Sequence, residues 1–304
     1  MQHPPYLKKG STIGITCPAS FVSNEKIYPA IELLQEKGFR VKVGTTVGNE
    51  FHYFSGDDNT RLSDLQNMLD DENLDAILMG RGGYGMSRII DKLDFKKFEQ
   101  KPKWICGFSD ITVLHNHLHA NLGIPSFHSP MCGAFKAETE NTAPVIQFFQ
   151  AICGEELTYQ TLTNLHNRYG ETEGILTGGN LAILAHLSGS SSEVNMDGKI
   201  LFIEDIGEHL YQIDRLMMNL KRAGKLNKLQ GLIVGSFTDI EDTERPFGQT
   251  VEEIILNKVQ EYDYPVCFQL ACGHQEENYT LTLGMKHTLK VNEEGGVLTL
   301  KRNN

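Results

Sequence analysis

Apolar runs and amphipathic segments alternate along the first half of the chain. Ser11–Thr16 is rich in β-forming residues, whereas Lys26–Lys37 carries apolar residues at a helical spacing and ends at Gly38. The alternation continues with strands predicted at Phe39–Val43, Leu74–Met79 and Trp104–Phe108, and helices at Arg61–Leu69 and Asp110–Asn121. This rhythm predicts an α/β fold, an open parallel sheet with helices on both faces.

The pattern changes after Met131, where the chain becomes polar and irregular apart from a helix predicted at Ala143–Ile152. We therefore expect an N-terminal domain at 1–140, a linker at 141–168 and a C-terminal domain at 169–304. The second domain should be mixed and β-rich, because Tyr279–Leu300 alternates around glycines as short antiparallel strands do. Its other predicted strands are Lys199–Ile203, Leu232–Gly235 and Val266–Leu270, and its predicted helices are Asn180–Leu187, His209–Ala223 and Thr250–Glu261.

Composition and charge narrow the class of protein. The 304 residues are 40% hydrophobic, and 28 basic against 39 acidic residues give a net charge of −11. No basic run stands out, so we expect no nucleic-acid partner. The first ten residues hold no apolar segment of ~7–15 residues, and no apolar stretch reaches ~18, so we expect neither a signal peptide nor a membrane span. The six cysteines are scattered without a C-x-x-C pair, which predicts buried free thiols in a reducing compartment.

The glycine cluster G-R-G-G-Y-G at Gly80–Gly85 follows a predicted strand and has three interpretations. It satisfies G-x-G-x-x-G, but a dinucleotide site wants an acidic residue at the end of the next strand, ~20 positions later, whereas that strand ends at Phe108-Ser109-Asp110, about 30 positions later. Consecutive glycines also let backbone N–H groups approach a ligand, as an oxyanion hole requires. The third interpretation is a tight strand-to-helix turn without a chemical role.

Three polar side chains follow predicted strands and together suggest nucleophilic catalysis. Ser109, in G-F-S-D-I-T, sits where a strand meets a helix and resembles half of a nucleophile elbow, although Ile111 replaces the second glycine. It is otherwise an N-cap, a role that serine fills well. Glu204 follows the strand Lys199–Ile203, and His274 follows a glycine beyond another strand; either is otherwise structural. A serine, a base and a carboxylate at strand ends favour a hydrolase triad.

These motifs resemble those of the LD-carboxypeptidases, a serine peptidase family that includes the microcin C immunity peptidases. The resemblance rests on five motifs in the family's order, from about residue 10 to the end: G-R-G-G-Y-G, G-F-S-D-I-T, G-G-N-L at Gly178–Leu181, F-I-E-D at Phe202–Asp205 and G-H at Gly273-His274. It implies an N-terminal Rossmann-like domain that supplies the nucleophile and a C-terminal β-rich domain that supplies the acid and the base.

The resemblance also implies the site. Ser109 would be the nucleophile, His274 the general base and Glu204 its orienting acid, with an oxyanion hole from the backbone N–H groups of Gly83 and Asp110. The candidates for substrate binding are Arg81 for the terminal carboxylate, its neighbour Gly82, and Asn180, for which helix capping is an equal alternative.

The implied reaction is hydrolysis of an L,D-amide bond, which releases the terminal D-Ala from a murein tetrapeptide during peptidoglycan (cell wall) recycling. The resemblance further implies a cytoplasmic homodimer that needs no cofactor or metal. A close alternative is a self-immunity peptidase that cleaves aminoacyl-nucleotide antibiotics with the same triad. From other classes, a nucleotide-binding oxidoreductase using Gly80–Gly85 and a catalytically silent two-lobed binding protein remain open.

A histidine cluster and one cysteine are the remaining candidates for a metal site or a nucleophile. His115 and His119 share a helix face at i, i+4 around His117, a spacing seen in some zinc sites, but no third ligand is evident. We expect them to pack or to cover the helix surface. Cys272 precedes His274 by two residues and lacks a base of its own, so we expect no nucleophilic role.

Overall fold

The computed structural model describes residues 3–301, and these form thirteen strands and eight α-helices. The strands are β1 (Thr12–Thr16), β2 (Arg40–Val43), β3 (Ala76–Met79), β4 (Trp104–Gly107), β5 (Ser126–His128), β6 (Thr158–Gln160), β7 (Gly170–Asn180), β8 (Lys199–Ile206), β9 (Gly231–Thr238), β10 (Val266–Cys267), β11 (Leu281–Leu283), β12 (Lys286–Asn292) and β13 (Gly295–Leu300). The helices are α1 (Asn24–Glu36), α2 (Asp58–Asp70), α3 (Lys96–Gln100), α4 (Thr112–Asn121), α5 (Ala143–Cys153), α6 (Leu181–His186), α7 (Leu210–Arg222) and α8 (Val251–Val259).

The described chain divides into two compact units. The first comprises residues up to 156 together with 279–282, and the second comprises 157–278 together with 283–301. Each unit is built around one sheet. No helix within residues 3–301 combines the length and apolarity needed to cross a bilayer.

The first sheet has the order β11-β5-β4-β3-β1-β2, and the pairs from β2 to β5 are all parallel. Its central strands are apolar and buried, as strands covered by helices on both faces must be. The strand order reverses between β1 and β3, and open α/β sheets bind ligands beyond the carboxyl ends of strands at such a point. The segment Cys17–Ser20 follows β1 there, and the glycine loop Gly80–Gly85 follows β3. The predicted α/β class is confirmed.

The second sheet has the order β10-β9-β8-β7-β12-β13-β6 and joins two kinds of pairing. Strands β7 to β10 are parallel, whereas β12 pairs antiparallel with both β7 and β13, and β13 pairs antiparallel with β6. Helices α6 to α8 cover the parallel half, and the buried face of α7 contributes Ile213, Met217 and Leu220 to its core. The sheet is therefore mixed and strand-rich, as the alternation in the tail predicted.

Several element predictions were wrong in detail. The eleven-residue strand β7 was not predicted, and β10 covers only the first two of five predicted residues. The tail forms the antiparallel pair β12–β13, but β11 joins the edge of the first sheet. All six cysteines are free thiols, yet Cys153 is exposed at the end of α5, because only one face of that helix packs against the core.

Candidate functional site

The nucleophile candidate Ser109 occupies a strained turn between β4 and α4. The chain leaves β4 extended at Phe108 and enters a 3₁₀ turn at Ser109, whose φ of 64° lies in the left-handed region. That conformation costs a residue with a side chain about 1–2 kcal/mol. Phe108, not Ser109, occupies the N-cap position, so the capping interpretation is wrong. A partly exposed serine held in this way is what a strand–serine–helix elbow provides.

The glycine loop lies directly against this turn. A Cβ placed on Gly82 would stand 3.0 Å from Cβ and 3.2 Å from Oγ of Ser109, so a side chain here would crowd the serine. Gly83 has φ of 96°, and a Cβ there would meet the Ser20 hydroxyl at 2.4 Å. The structure thus brings together the loop and Ser109, both predicted from the sequence, within the first unit.

A buried arginine fixes the far end of the loop. Arg61, in α2, is fully buried, and its guanidinium donates hydrogen bonds to the backbone carbonyls of Pro18 at 2.6 Å, Gly85 at 3.1 Å and Gly56 at 3.2 Å. It also pairs with Asp58. One side chain therefore ties together three loop segments at the carboxyl edge of the sheet.

The carboxylate of Asp110 supports the same loop from the side of the nucleophile turn. It is fully buried, and its Oδ2 accepts the N–H of Met86 at 2.8 Å. Burial raises the pKa of Asp110 to about 6, against the opposing effects of the Met86 N–H and the nearby Arg61 charge. The side chain thus anchors the loop, while its backbone N–H belongs to the elbow.

The second unit holds a pair formed by a buried carboxylate and a partly exposed imidazole. Glu204 lies inside β8, which extends to Ile206 and not only to Ile203 as predicted, with a register shift between Ile203 and Asp205. Its carboxyl is fully buried, and Oε2 lies 2.7 Å from Nδ1 of His274. A carboxylate at Nδ1 holds the proton on that nitrogen and leaves the lone pair on Nε2, the arrangement of a general base.

Close backbone packing holds this pair in place. The His274 carbonyl accepts the Thr238 hydroxyl at 2.8 Å, and the Gly273 N–H donates to Asn278 Oδ1 at 2.9 Å. Gly273 has φ of 122°, and a Cβ there would stand 2.8 Å from Oε2 of Glu204. The glycine of the G-H motif therefore gives the carboxylate its room.

Asp205 organises the neighbouring strand end, a role that the sequence did not suggest. It accepts the Asn180 amide at 2.8 Å and the Ala182 N–H at 2.9 Å. Burial is the main cause that raises the pKa of Asp205 to about 6, and the adjacent Glu204 adds to it. Asn180 is the N-cap of α6, its Oδ1 accepting the Ile183 N–H at 3.1 Å, so the capping alternative is confirmed for this residue.

The other candidates have structural surroundings. Arg81 is exposed and donates to the Phe21 carbonyl at 2.9 Å. The Nε2 of buried His115 lies 2.8 Å from the Gly107 carbonyl, and burial lowers the pKa of His115 to about 4. The ring of His117 stacks on Phe95, and His119 lies 3.2 Å from the Ser126 hydroxyl, so this helix packs as expected. Burial raises the pKa of the Cys272 thiol well above its ordinary value, which opposes a thiolate nucleophile.

Residues 3–301 contain no group of three histidine, cysteine, aspartate or glutamate side chains arranged to hold a metal ion.

The sequence did not single out Ser20 and Arg61, because both act on backbone carbonyls. For Ser20 the available signal was its place at the end of the segment Cys17–Ser20, which follows β1 next to the point where the strand order reverses.

Comparison with known proteins shows the family of this chain. Residues 13–129 match the LD-carboxypeptidase N-terminal domain and residues 173–289 the LD-carboxypeptidase C-terminal domain. A probable murein peptide carboxypeptidase of Bacillus subtilis is 35% identical over 97% of this chain and 93% of its own. The microcin C7 self-immunity protein MccF of Escherichia coli is 25% identical over 92% of this chain and 90% of its own.

Among solved structures, the muramoyltetrapeptide carboxypeptidase of Oxalobacter formigenes superposes with a TM-score of 0.87 at 26% identity, over 96% of this chain and 99% of that one. The two family domains together cover most of the chain, and the first contains Ser109 while the second contains Glu204 and His274. The chain therefore belongs to the LD-carboxypeptidase family of serine peptidases and is a hydrolase.

Proposed function

We propose that this protein hydrolyses the L,D-amide bond that holds the terminal D-Ala of a murein tetrapeptide, with Ser109, His274 and Glu204 as its triad. The observation that carries the proposal is the buried Glu204 carboxylate 2.7 Å from Nδ1 of His274, because this contact commits Nε2 to the role of base. The strained turn at Ser109 supports it from the first unit. The relatives named for murein peptides supply the substrate class.

The chemistry follows from these groups. The Ser109 hydroxyl attacks the carbonyl carbon of the scissile amide while His274 Nε2 takes its proton. Negative charge develops on the carbonyl oxygen, and the N–H groups of Gly83 and Asp110 donate to it. The C–N bond then breaks as His274 returns the proton to the leaving nitrogen, which frees D-Ala. Water, activated in the same way, hydrolyses the ester on Ser109 and regenerates the hydroxyl.

Substrate recognition is a further part of the proposal. A carboxypeptidase must bind a free terminal carboxylate, and the exposed Arg81 carries the charge for this contact next to Gly82. Asn180 caps α6 and in this proposal also faces the peptide. The family resemblance adds a homodimer that acts in the cytoplasm on peptides from cell wall recycling. Light scattering of the purified protein tests the dimer.

The deciding experiment incubates the purified protein with murein tetrapeptide and follows the release of D-Ala by mass spectrometry. Ser109→Ala should reduce kcat by as much as ~10⁶-fold, because removal of such a nucleophile leaves only binding and electrostatic effects. Ser63→Ala removes an exposed hydroxyl from α2 in the same unit and should leave the rate unchanged. Substantial hydrolysis by Ser109→Ala would refute the serine mechanism.

A second substrate deserves the same assay because a self-immunity protein is among the relatives. An aminoacyl sulfamoyl nucleotide presents a comparable acyl bond to the same triad. If the protein cleaves this compound and leaves the tetrapeptide intact, the triad is supported but the murein substrate is wrong.

A further inference from the structure

Ser20 makes an unusual double contact with the glycine loop. It ends the segment C-P-A-S that follows β1, and its residue is only 2% exposed. Both its hydroxyl, at 2.6 Å, and its backbone N–H, at 3.2 Å, donate to the carbonyl oxygen of Gly82. A single carbonyl is thus held by two donors from one residue.

The direction of one peptide group follows from this contact. The described residues contain no cis peptide bond, so the bond between Gly82 and Gly83 is trans and planar. In such a unit the carbonyl and the following N–H point in opposite directions. Holding the Gly82 oxygen on Ser20 therefore turns the Gly83 N–H away from Ser20. Two adjacent glycines otherwise leave this peptide free to rotate, because neither has a Cβ.

The same peptide adjoins the nucleophile. The Cα of Gly82 lies so close to Ser109 that an added Cβ would stand 3.0 Å from the serine Cβ. Ser20 is itself fixed, because the buried Ser55 hydroxyl donates to the Ser20 carbonyl at 3.0 Å and the Ser55 N–H donates to Ala19 at 3.1 Å. A rigid donor therefore sets the orientation of a peptide group beside Ser109.

We infer that Ser20 is a positioning residue of the oxyanion hole: through the Gly82 carbonyl it aims the Gly83 N–H at the oxygen that becomes negative when Ser109 attacks. This inference rests on the proposed function, which assigns those roles to Ser109 and Gly83. A preorganised donor matters most in the transition state, so the effect of Ser20 belongs to kcat and not to substrate binding.

The test compares Ser20→Ala with Ser126→Ala. Each variant removes one buried hydroxyl from the first unit, but the Ser126 hydroxyl lies beside His119, away from the loop. Loss of a whole oxyanion donor costs ~10²–10³-fold in kcat. Ser20→Ala retains the backbone N–H bond, so we expect a fall of about 10- to 100-fold in kcat with KM within about twofold. Ser126→Ala should keep the kcat of the unchanged protein.

A second readout does not depend on the natural substrate. A fluorophosphonate reagent reacts when the Ser109 oxygen forms a bond to phosphorus, fluoride leaves, and the serine proton passes to the base. The phosphoryl oxygen then occupies the oxyanion site, so Ser20→Ala should slow this labelling by the same factor as kcat. If Ser20→Ala does not fold, Ser20→Cys keeps nearly the same shape with a weaker donor, and its kcat should also fall.

The outcomes separate the inference from the proposed function. If Ser109→Ala is inactive but Ser20→Ala and Ser20→Cys match Ser126→Ala in both readouts, the inference on Ser20 is wrong and the serine mechanism stands. If Ser109→Ala remains active, or if the reagent does not label Ser109 in the unchanged protein, the proposed function fails and the inference fails with it. A parallel loss in kcat and in labelling, at constant KM, supports both.

Discussion

The substitution Glu204→Gln tests the role of the buried acid with almost no change in shape. In the native site Oε2 accepts the Nδ1 proton of His274 at 2.7 Å, while Oε1 has no hydrogen-bond partner within the described chain. The glutamine amide replaces one of these oxygens with an NH₂ group. Its two possible orientations have different consequences, and the environment of Oε1 decides between them.

If the NH₂ group takes the place of Oε1, it is a buried donor without an acceptor, which costs about 1–3 kcal/mol. If it takes the place of Oε2, it donates to His274 Nδ1 and is satisfied. The second orientation is therefore favoured, and it forces the imidazole proton onto Nε2, where the base needs its lone pair. Other serine triads lose about 10⁴-fold in kcat when the acid becomes an amide, equivalent to about 5.4 kcal/mol of barrier.

We therefore expect Glu204→Gln to lower kcat for D-Ala release by 10³- to 10⁴-fold. Nitrogen-15 NMR of the histidine side chains should show the His274 proton on Nε2 in the variant and on Nδ1 in the native protein. Glu277→Gln makes the same chemical change at an exposed position near His274 and serves as the control. A folded Glu204→Gln variant with kcat within tenfold of native, or with the proton still on Nδ1, would show that the carboxylate does not set the tautomer.

Two further substitutions test the close packing around the candidate site, and a third tests how stability depends on pH. Gly273→Ala places a methyl group 2.8 Å from the Glu204 carboxylate, so we expect kcat to fall by at least about tenfold while the protein stays folded. Circular dichroism checks the fold and D-Ala release measures kcat. A variant with native kcat would contradict the crowding. Gly82→Ala should slow fluorophosphonate labelling of Ser109, because its Cβ meets the serine at 3.0 Å; unchanged labelling would mean that the loop yields easily. Burial lowers the pKa of His287 from 6.5 to about 4, so between these pH values the unfolded chain binds more protons than the native protein. The free energy of unfolding should therefore fall by about 3 kcal/mol as the pH falls through this range. Urea unfolding at pH 7 and pH 4 should show that His287→Leu lacks this fall in stability. An equal loss of stability in the native protein and in the variant would refute the role of His287.

The sequence predicted those parts of the fold that carry a clear periodicity. The helix α1 and the strands β1, β3 and β4 lie within one or two residues of the predicted bounds, because their apolar spacing reflects burial directly. Strand β7 was missed, since G-E-T-E-G-I-L-T-G-G-N shows neither alternation nor a continuous apolar run. Its exposure changes along its length: the first half is partly exposed, while the second half is buried and pairs in parallel with β8.

The candidate site, too, was predicted only in part. The sequence singled out Ser109, Glu204 and His274 because each follows a predicted strand, which is a local signal, although β8 continues past Glu204 and β10 ends at Cys267. The residue types of Ser20 and Arg61 gave no signal, because a hydrogen bond to a backbone carbonyl depends on which chain segments meet and not on the residue type of its partner. The catalytic roles stay predictions until the substitutions are made.

The edge strand β11 has a consequence for how this protein is made. Residues 281–283 complete a sheet whose other strands end by His128, about 150 positions earlier. A ribosome synthesises the chain from its N-terminus, so the edge of β5 stays unpaired while residues 157–278 of the second unit are synthesised. Nascent chains that stop short of residue 279 would expose that edge to pairing with other chains, and a chaperone that shields it during translation would raise the yield of soluble protein.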